Sequence, residues 1–247
     1  MKLKVINSNS KGNCYILKDN TGEILLIECG VVIDKIKQAV DYDMHSIVGC
    51  ILSHGHSDHC KAAKDLVKYG VRIYTSEGTK NTLKIPDKNA IVPVLAMKKY
   101  KVGNYTIMPF KVEHDCSEPY GFLIQHAEMG LCLFMTDTYY CEYVFQNLNN
   151  IIIEANYCED IIDKKLALSK TTGFVRDRVL QSHMSIQTCI KTLQSYDLKR
   201  VNNIVIIHLS NGNSSEIEFK QKVRNATGCN VHIADKGMEI NFDKTPF

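Results

Sequence analysis

Ser53-His54-Gly55-His56-Ser57-Asp58-His59-Cys60 is the stretch that decides how the rest of the chain is read. It places three histidines and one aspartate within six positions. Neutral imidazole nitrogen and carboxylate oxygen are ligands for borderline divalent metals such as zinc. In an extended segment positions two apart face the same way, so His54 and His56 can grip one ion. Asp58 and His59 fall where a helical pattern begins, and a turn there aims both at a second point. The plainer reading is a polar turn that happens to be rich in histidine, but four ligand-type residues at this spacing argue against it.

Upstream, residues 47–52 form a buried-strand pattern that runs straight into His54. Downstream, Cys60, Ala63, Leu66 and Val67 keep helical spacing until Gly70 stops it. Asp58 is expected to cap that helix as well as bind metal, since both roles use its carboxylate oxygens. Further out, 3–6 and 14–17 read as a hairpin around a polar turn at 7–13, followed by an apolar run at 23–27 and a helix over 34–42. Strands follow at 71–74, two or three between 91 and 110 (one of them continuing over 105–112), then 121–125, 131–135, 151–153 and 201–207. Residues 159–200 read as mostly helical, broken at Thr171-Thr172-Gly173. Glu28, His54, His114, Asp137, Glu154 and His208 each follow the C-terminal end of an apolar, β-branched run. Strand ends along one sheet edge are where open α/β folds assemble sites, so these residues are expected to share one.

Composition bounds the rest. With 247 residues, 45% hydrophobic and 23% charged, the chain reads as a globular α/β protein, most simply one domain over 1–247. No apolar run approaches a membrane span, and the first residues turn polar too soon for a secretory signal, so a cytoplasmic protein is expected. Ten scattered cysteines include no C-x-x-C pair, which argues against zinc ribbons and thioredoxin-type sites. A net charge of +3 is too small to demand a polyanionic partner. Lys164, Lys165, Lys170, Arg176 and Arg178 crowd the approach to His183 against Asp163 and Asp177, as a phosphate-facing wall or as a solvated loop.

The ligand types suggest two divalent ions, zinc first and manganese as the other candidate. His54, His56 and His114 would hold one, Asp58, His59 and His208 the other, with Asp137 bridging through its two oxygens. Ions so held sit about 3.5–4 Å apart, and a water or hydroxide between them becomes a nucleophile near neutral pH. Such a centre suits attack on a phosphodiester, an ester, a thioester or a lactam, with Asp58 also orienting the water.

Over nearly its whole length the chain resembles the metallo-β-lactamase fold superfamily. His54-x-His56-x-Asp58-His59, then His114, Asp137 and His208, follow that family's ligand motifs in order. Glu28 stands where the family usually has aspartate in a strand-end Asp-x-Gly, a position that supports the site by hydrogen bonding. Within the superfamily the chain is similar to the YycJ (WalJ) type. The likeness rests on the Gly12-Asn13-Cys14 hairpin, Ser76-Glu77-Gly78-Thr79, His114-Asp115-x-x-Glu118-Pro119-x-Gly121 and His208-Leu209-Ser210-x-x-Asn213. Gln181-Ser182-His183-Met184-Ser185 resembles a Gly-His-Leu-Ser segment, and Glu154-Ala155-Asn156-Tyr157 a Glu-Ser-Asn-His segment, each with substitutions.

The resemblance implies a four-layer αββα sandwich: two mixed sheets, helices outside, and a dinuclear site at one edge. It also implies a DNA exonuclease-like phosphodiesterase in which His183 touches the scissile phosphate or assists the leaving group. A helix-start histidine bonded to backbone is the competing reading of His183. Ser210 and Asn213 would bind substrate phosphate or cap the helix after the last strand, and Glu154, like Glu28, would support the ligands. Nucleic acid or another phosphodiester is the expected partner. Alternatives are a cyclic nucleotide phosphodiesterase, a thioesterase, an RNA-processing endonuclease and a non-catalytic nucleotide binder. Zinc β-lactamases usually carry cysteine at the Asp137 position, and flavodiiron proteins carry glutamate at that of His56, which disfavours both.

Overall fold

The computed structural model describes residues 1–245. Its strands are β1 (Lys2–Asn9), β2 (Gly12–Lys18), β3 (Ile24–Ile27), β4 (Ile47–Ile51), β5 (Ile73–Thr75), β6 (Ile91–Pro93), β7 (Tyr100–Val102), β8 (Tyr105–Lys111), β9 (Tyr120–His126), β10 (Gly130–Met135), β11 (Asn150–Glu154), β12 (Asn203–Ile207), β13 (Asn230–Ile233) and β14 (Glu239–Asn241). The helices are α1 (Ile33–Ala39), α2 (Ser57–Cys60), α3 (Ala63–Lys68), α4 (Glu77–Thr82), α5 (Glu159–Ala167), α6 (Gly173–Ser182), α7 (Ile186–Gln194) and α8 (Glu216–Thr227). Two seven-stranded sheets result, ordered β14-β1-β2-β3-β4-β5-β6 and β13-β12-β11-β10-β9-β8-β7. Both are mixed. In the first, β3 to β6 run parallel and the remainder antiparallel; in the second, β10 to β13 are the parallel run.

Continuous apolar strands such as Ile24-Leu25-Leu26-Ile27 follow from burial on both faces. Side chains alternate with period two, so Leu25 and Ile27 enter the core between the sheets, with Tyr105, Phe122, Ile152 and Val205 from the other sheet. Their neighbours Ile24 and Leu26 face outward and pack with Ile36 of α1 and Leu66 of α3. On the far side Ile151, Ile153, Ile204 and Ile206 meet Ile186 and Leu193 of α7 and Phe219 of α8. Three cores between four layers give the αββα sandwich.

Several local expectations are corrected. The first hairpin turns over two residues, Ser10 and Lys11, because β1 continues to Asn9 through a bulge between Val5 and Asn7. The helix after the histidine motif splits into α2 and α3, and its N-cap position is His56 with no side-chain cap, so Asp58 does not cap it. The last strong strand starts at Asn203 rather than at residue 201. The 159–200 helical region breaks a second time at His183-Met184-Ser185, between α6 and α7. Strands β13 and β14 add to the expected set: each is short and edge-placed, and only partly buried.

Candidate metal centre

Strands β3 and β4 are parallel neighbours, as are β10, β11 and β12, so their C-terminal ends share one edge of the sandwich. Glu28, Asp137 and His208 sit just beyond β3, β10 and β12 with left-handed backbone, φ 61°, 45° and 56°. That conformation costs an L-residue on the order of 1–2 kcal/mol, and such strain persists where surrounding contacts impose it. Here it turns each side chain inward.

Three groups of donor atoms converge, each within 4.8 Å: His54, His56, His114 and Asp137; Asp58, His59, Asp137 and His208; and Asp137, Glu154, His183 and His208. In the first, His56 Nδ1 lies 3.0 Å from His54 Nε2 and 3.2 Å from His114 Nε2. Asp137 Oδ2 is 3.5 Å from His54 Nε2 and 3.7 Å from His114 Nε2. In the second, the same Oδ2 is 3.2 Å from His59 Nε2, and Asp58 Oδ2 is 3.4 Å from His59 Nε2 and 3.5 Å from His208 Nε2. Asp137 therefore faces both groups.

Tautomers follow from the outer contacts. His114 Nδ1–H donates to the Ser182 carbonyl at 2.8 Å, and His59 Nδ1–H donates to Glu28 Oε2 at 3.0 Å. Glu28, fully buried, also accepts the Ser53 N–H through Oε1 at 2.9 Å. His208 Nδ1 lies 2.8 Å from Asp137 Oδ1 and 2.9 Å from Glu154 Oε1. His183 Nδ1–H donates to the same Glu154 oxygen at 2.8 Å. In neutral His114 and His208 these bonds leave Nε2 as a bare lone pair aimed at carboxylate oxygens or other lone pairs, and in His59 they leave an Nε2 lone pair that faces Asp137 and Asp58 with the Asn13 amide beside it at 3.2 Å. His208 Nε2 is buried with no hydrogen-bond partner. Lone pair facing lone pair is repulsive unless a cation lies between them, and borderline metals take this donor set. The residues fit divalent metal binding.

Electrostatics agree. Burial pulls His59 and His208 down, but the surrounding carboxylates, Asp137 foremost, outweigh it and hold both imidazoles well above the ordinary histidine value. Burial pushes Asp58 and Asp137 up, yet the adjacent imidazoles hold both carboxyls well below the usual range. A positive charge is wanted at this point whether protons or a metal supply it.

The cluster floors an open cavity of about 500 Å³ lined on one side by His56, Asp58 and His114 and on another by Phe174, Arg178 and His183 of the α6 segment. His183 is the C-cap of α6, not a helix start, and lies over the cluster. Ser210 lines the cavity, whereas Asn213 does not: its Oδ1 accepts from Lys165 Nζ at 3.0 Å. Neither caps α8, whose N-cap is Ser215. Of the basic residues before His183, Lys165 is held by Asn213 and Arg176 by Asp163 and Asp177, so only part of that group is free to face a phosphate. Several contributors escaped the sequence reading. Asn13 reaches His59 Nε2 at 3.2 Å, Ser53 Oγ reaches His54 Nδ1 at 2.8 Å, and Asp115 Oδ1 lies 3.2 Å from His114 Nε2. All three fall inside or beside recognisable motifs; the Ser182 carbonyl leaves no signal in residue type.

Comparison with known proteins follows the same line. The family model described as beta-lactamase superfamily domain matches residues 26–209. An exodeoxyribonuclease YycJ from Bacillus anthracis is 24% identical over 231 residues, covering 87% of this chain and 84% of that protein. The crystal structure of the metallo-β-lactamase fold protein YhfI from Bacillus subtilis superposes with TM-score 0.75 at 16% identity, covering 97% of this chain and 99% of that one. Human tRNase Z, short form, gives TM-score 0.65 at 13% identity over 98% and 99%. A diphosphatase from the PhnP family gives 0.65 at 15% over 98% and 98%. With most of its length matched, and with the strand-end cluster on a four-layer sandwich, the chain belongs to the metallo-β-lactamase fold superfamily, close in kind to its YycJ members.

Proposed function

We propose that this metallohydrolase is a phosphodiesterase that cuts nucleic acid, in the manner of a DNA exonuclease, with two divalent ions as cofactors. The observation that supports the reading is Asp137, whose carboxylate belongs both to the group with His54, His56 and His114 and to that with Asp58, His59 and His208, as well as to a third with Glu154, His183 and His208. His54, His56 and His114 would hold one ion and Asp58, His59 and His208 the other, zinc or manganese in each case. Bound there, the ions would supply Lewis-acid charge for a phosphoryl group and would lower the pKa of water toward neutrality. The names of the relatives (an exodeoxyribonuclease, a tRNase and a diphosphatase) support P–O bond chemistry.

The chain's own residues then divide the work. Asp58 lines the cavity and stays ionised, so it can accept a hydrogen bond from the attacking water and orient it. His183 has Nδ1 fixed by Glu154, leaving Nε2 for the substrate. Burial lowers its pKa, but the Glu154 carboxylate outweighs burial and raises it, so the imidazole is able to hand a proton to the departing oxygen. Ser210 at the rim can donate a hydrogen bond to a phosphate oxygen.

Metal-loaded protein incubated with labelled duplex DNA, single-stranded DNA, RNA, cyclic dinucleotides and a thioester tests the proposal. Phosphodiester cleavage that is lost in Asp58→Ala is expected. For His183→Gln, kcat should fall about 10²–10⁴-fold at unchanged metal content. Thioester turnover without phosphodiester cleavage would overturn the reading.

A further inference from the structure

Helix α6 differs from its neighbours. While α5, α7 and α8 place side chains among the hydrophobic residues of the helix-facing core, α6 contributes none. Its only buried residue is Ser182. Phe174 is 79% exposed and Val175 47%, yet Phe174, Val175, Arg178, Val179 and Ser182 all line the cavity. Steps of four along a helix share a face, so 174, 178 and 182 form one stripe and 175 and 179 run beside it. An apolar helix face left open beside a polar, ligand-rich floor has no folding rationale of its own.

Charge on the same face narrows the occupant. Arg178 is the one lysine or arginine among the residues lining the cavity. Its nearest acid is Asp115, 3.9 Å away, and its side chain is 69% exposed. Arg176, two residues earlier, is by contrast held at 2.7 Å by Asp163. Phe174 and Arg178 are one turn apart, with roughly 5–6 Å between their Cβ atoms. An aromatic face beside an arginine is how proteins hold an unpaired nucleotide: the base stacks and the backbone phosphate takes the cation.

We propose that Phe174 and Arg178 clamp an unpaired nucleotide of a nucleic-acid strand, its base against the phenyl ring and its phosphate at the guanidinium, beside the phosphodiester to be cut. The strand is single at this point, because a base inside a duplex is stacked on both faces and offers neither to Phe174. The clamp rests on the phosphodiesterase reading, since it takes the cavity floor as the place of the scissile phosphate. Specificity would then lie in strandedness rather than in base identity, because every base has a stacking face.

Calorimetric titration of the metal-loaded protein with phosphorothioate-linked decathymidylate, and with an abasic phosphorothioate decamer, tests the clamp without a dye and without turnover. Wild type should bind the base-bearing strand about tenfold more tightly, ~1.4 kcal/mol, at the lower end for stacking on an exposed ring. Phe174→Ala should remove that preference and Phe174→Tyr should keep it. Arg178→Ala should weaken both strands alike and reduce the slope of log affinity against log salt by about one. A preference that persists in Phe174→Ala, or is absent in wild type, overturns the clamp. Cleavage of an unmodified abasic decamer by wild type reports on the phosphodiesterase reading separately: if the abasic strand is cut without any base preference, the clamp alone fails. If neither decamer is cut or bound, both fail. Both side chains are largely exposed, so the variants should fold.

Discussion

Glu28→Gln is the sharpest perturbation of the metal centre. The carboxylate is fully buried and accepts two N–H groups, from Ser53 at 2.9 Å and from His59 Nδ1 at 3.0 Å. Glutamine keeps the shape but has one acceptor oxygen. If its amide nitrogen faces Ser53, two donors oppose each other in a dry site, at about 1–3 kcal/mol. If it faces His59 instead, Nδ1 must become the acceptor and the proton moves to Nε2. That nitrogen lies 3.2 Å from Asp137 Oδ2 and 3.4 Å from Asp58 Oδ2, where an ion would be held, and a protonated nitrogen cannot ligate. Loss of such an outer partner typically lowers metal affinity about 10–100-fold, or ~1.4–2.7 kcal/mol. The first route keeps the His59 tautomer and costs fold stability, while the second costs metal affinity, so the two are told apart by which quantity falls. Zinc titration of metal-free protein against a chromophoric chelator gives the affinity, and metal-free thermal unfolding shows whether the variant is folded. Affinity within twofold of wild type together with unchanged metal-free stability in Glu28→Gln would refute the claim that both Glu28 oxygens are committed to the Ser53 and His59 N–H groups.

Three further outcomes are expected. Gly30→Ala should unfold the site region, because a Cβ there would overlap the Asp58 carbonyl oxygen and press on the Asn13 backbone nitrogen; circular dichroism and metal content would both report it. Zinc at 100 times its dissociation constant should stabilise the fold by about 2.7 kcal/mol, which for a chain of this size raises Tm by roughly 5–10 °C, and a chelator should reverse the rise. Away from the centre, burial pushes the Asp19 carboxyl up, but hydrogen bonds from Asn104, Thr21 and Glu23 outweigh it and lower its pKa. The unfolded chain then binds the proton first, so this stability is present above about pH 3.9 and is lost as pH falls through the folded value. Urea unfolding of Asp19→Ala should accordingly show a shallower acid dependence than wild type; an unchanged slope would exclude Asp19 as a contributor.

Ligand type and strand position were legible without coordinates. The density of histidine and aspartate between His54 and His59 is chemically unusual, and apolar runs ending in Glu28, Asp137, Glu154 and His208 mark strand ends by hydrophobic pattern alone. The two buried faces of β3, β11 and β12 also show in sequence, as continuous rather than alternating apolar residues. Short edge elements were harder. Strands β13 and β14 owe their state to neighbouring strands, since neither buries enough of its own surface to mark its period. The second break, at His183, depends on the segment crossing from one wall of the cavity to the α7 layer; Tyr157 pairs there with Ser185 in an isolated bridge.

What the sequence by itself determined is the inventory: which residues can ligate, roughly where each strand stops, and a fold class able to gather those stops at one edge. Only tertiary structure decided which nitrogen of each imidazole faces inward, that Glu28 hydrogen-bonds His59 while Glu154 is shared by His183 and His208, that Asn213 is spent on Lys165, and that α6 leaves Phe174 and Arg178 open over the cavity. The physical reason is range. Hydrophobic periodicity is written over a few neighbouring residues, whereas a tautomer or an unspent cation is set by partners 25, 31 or 54 positions away, and nothing local records them.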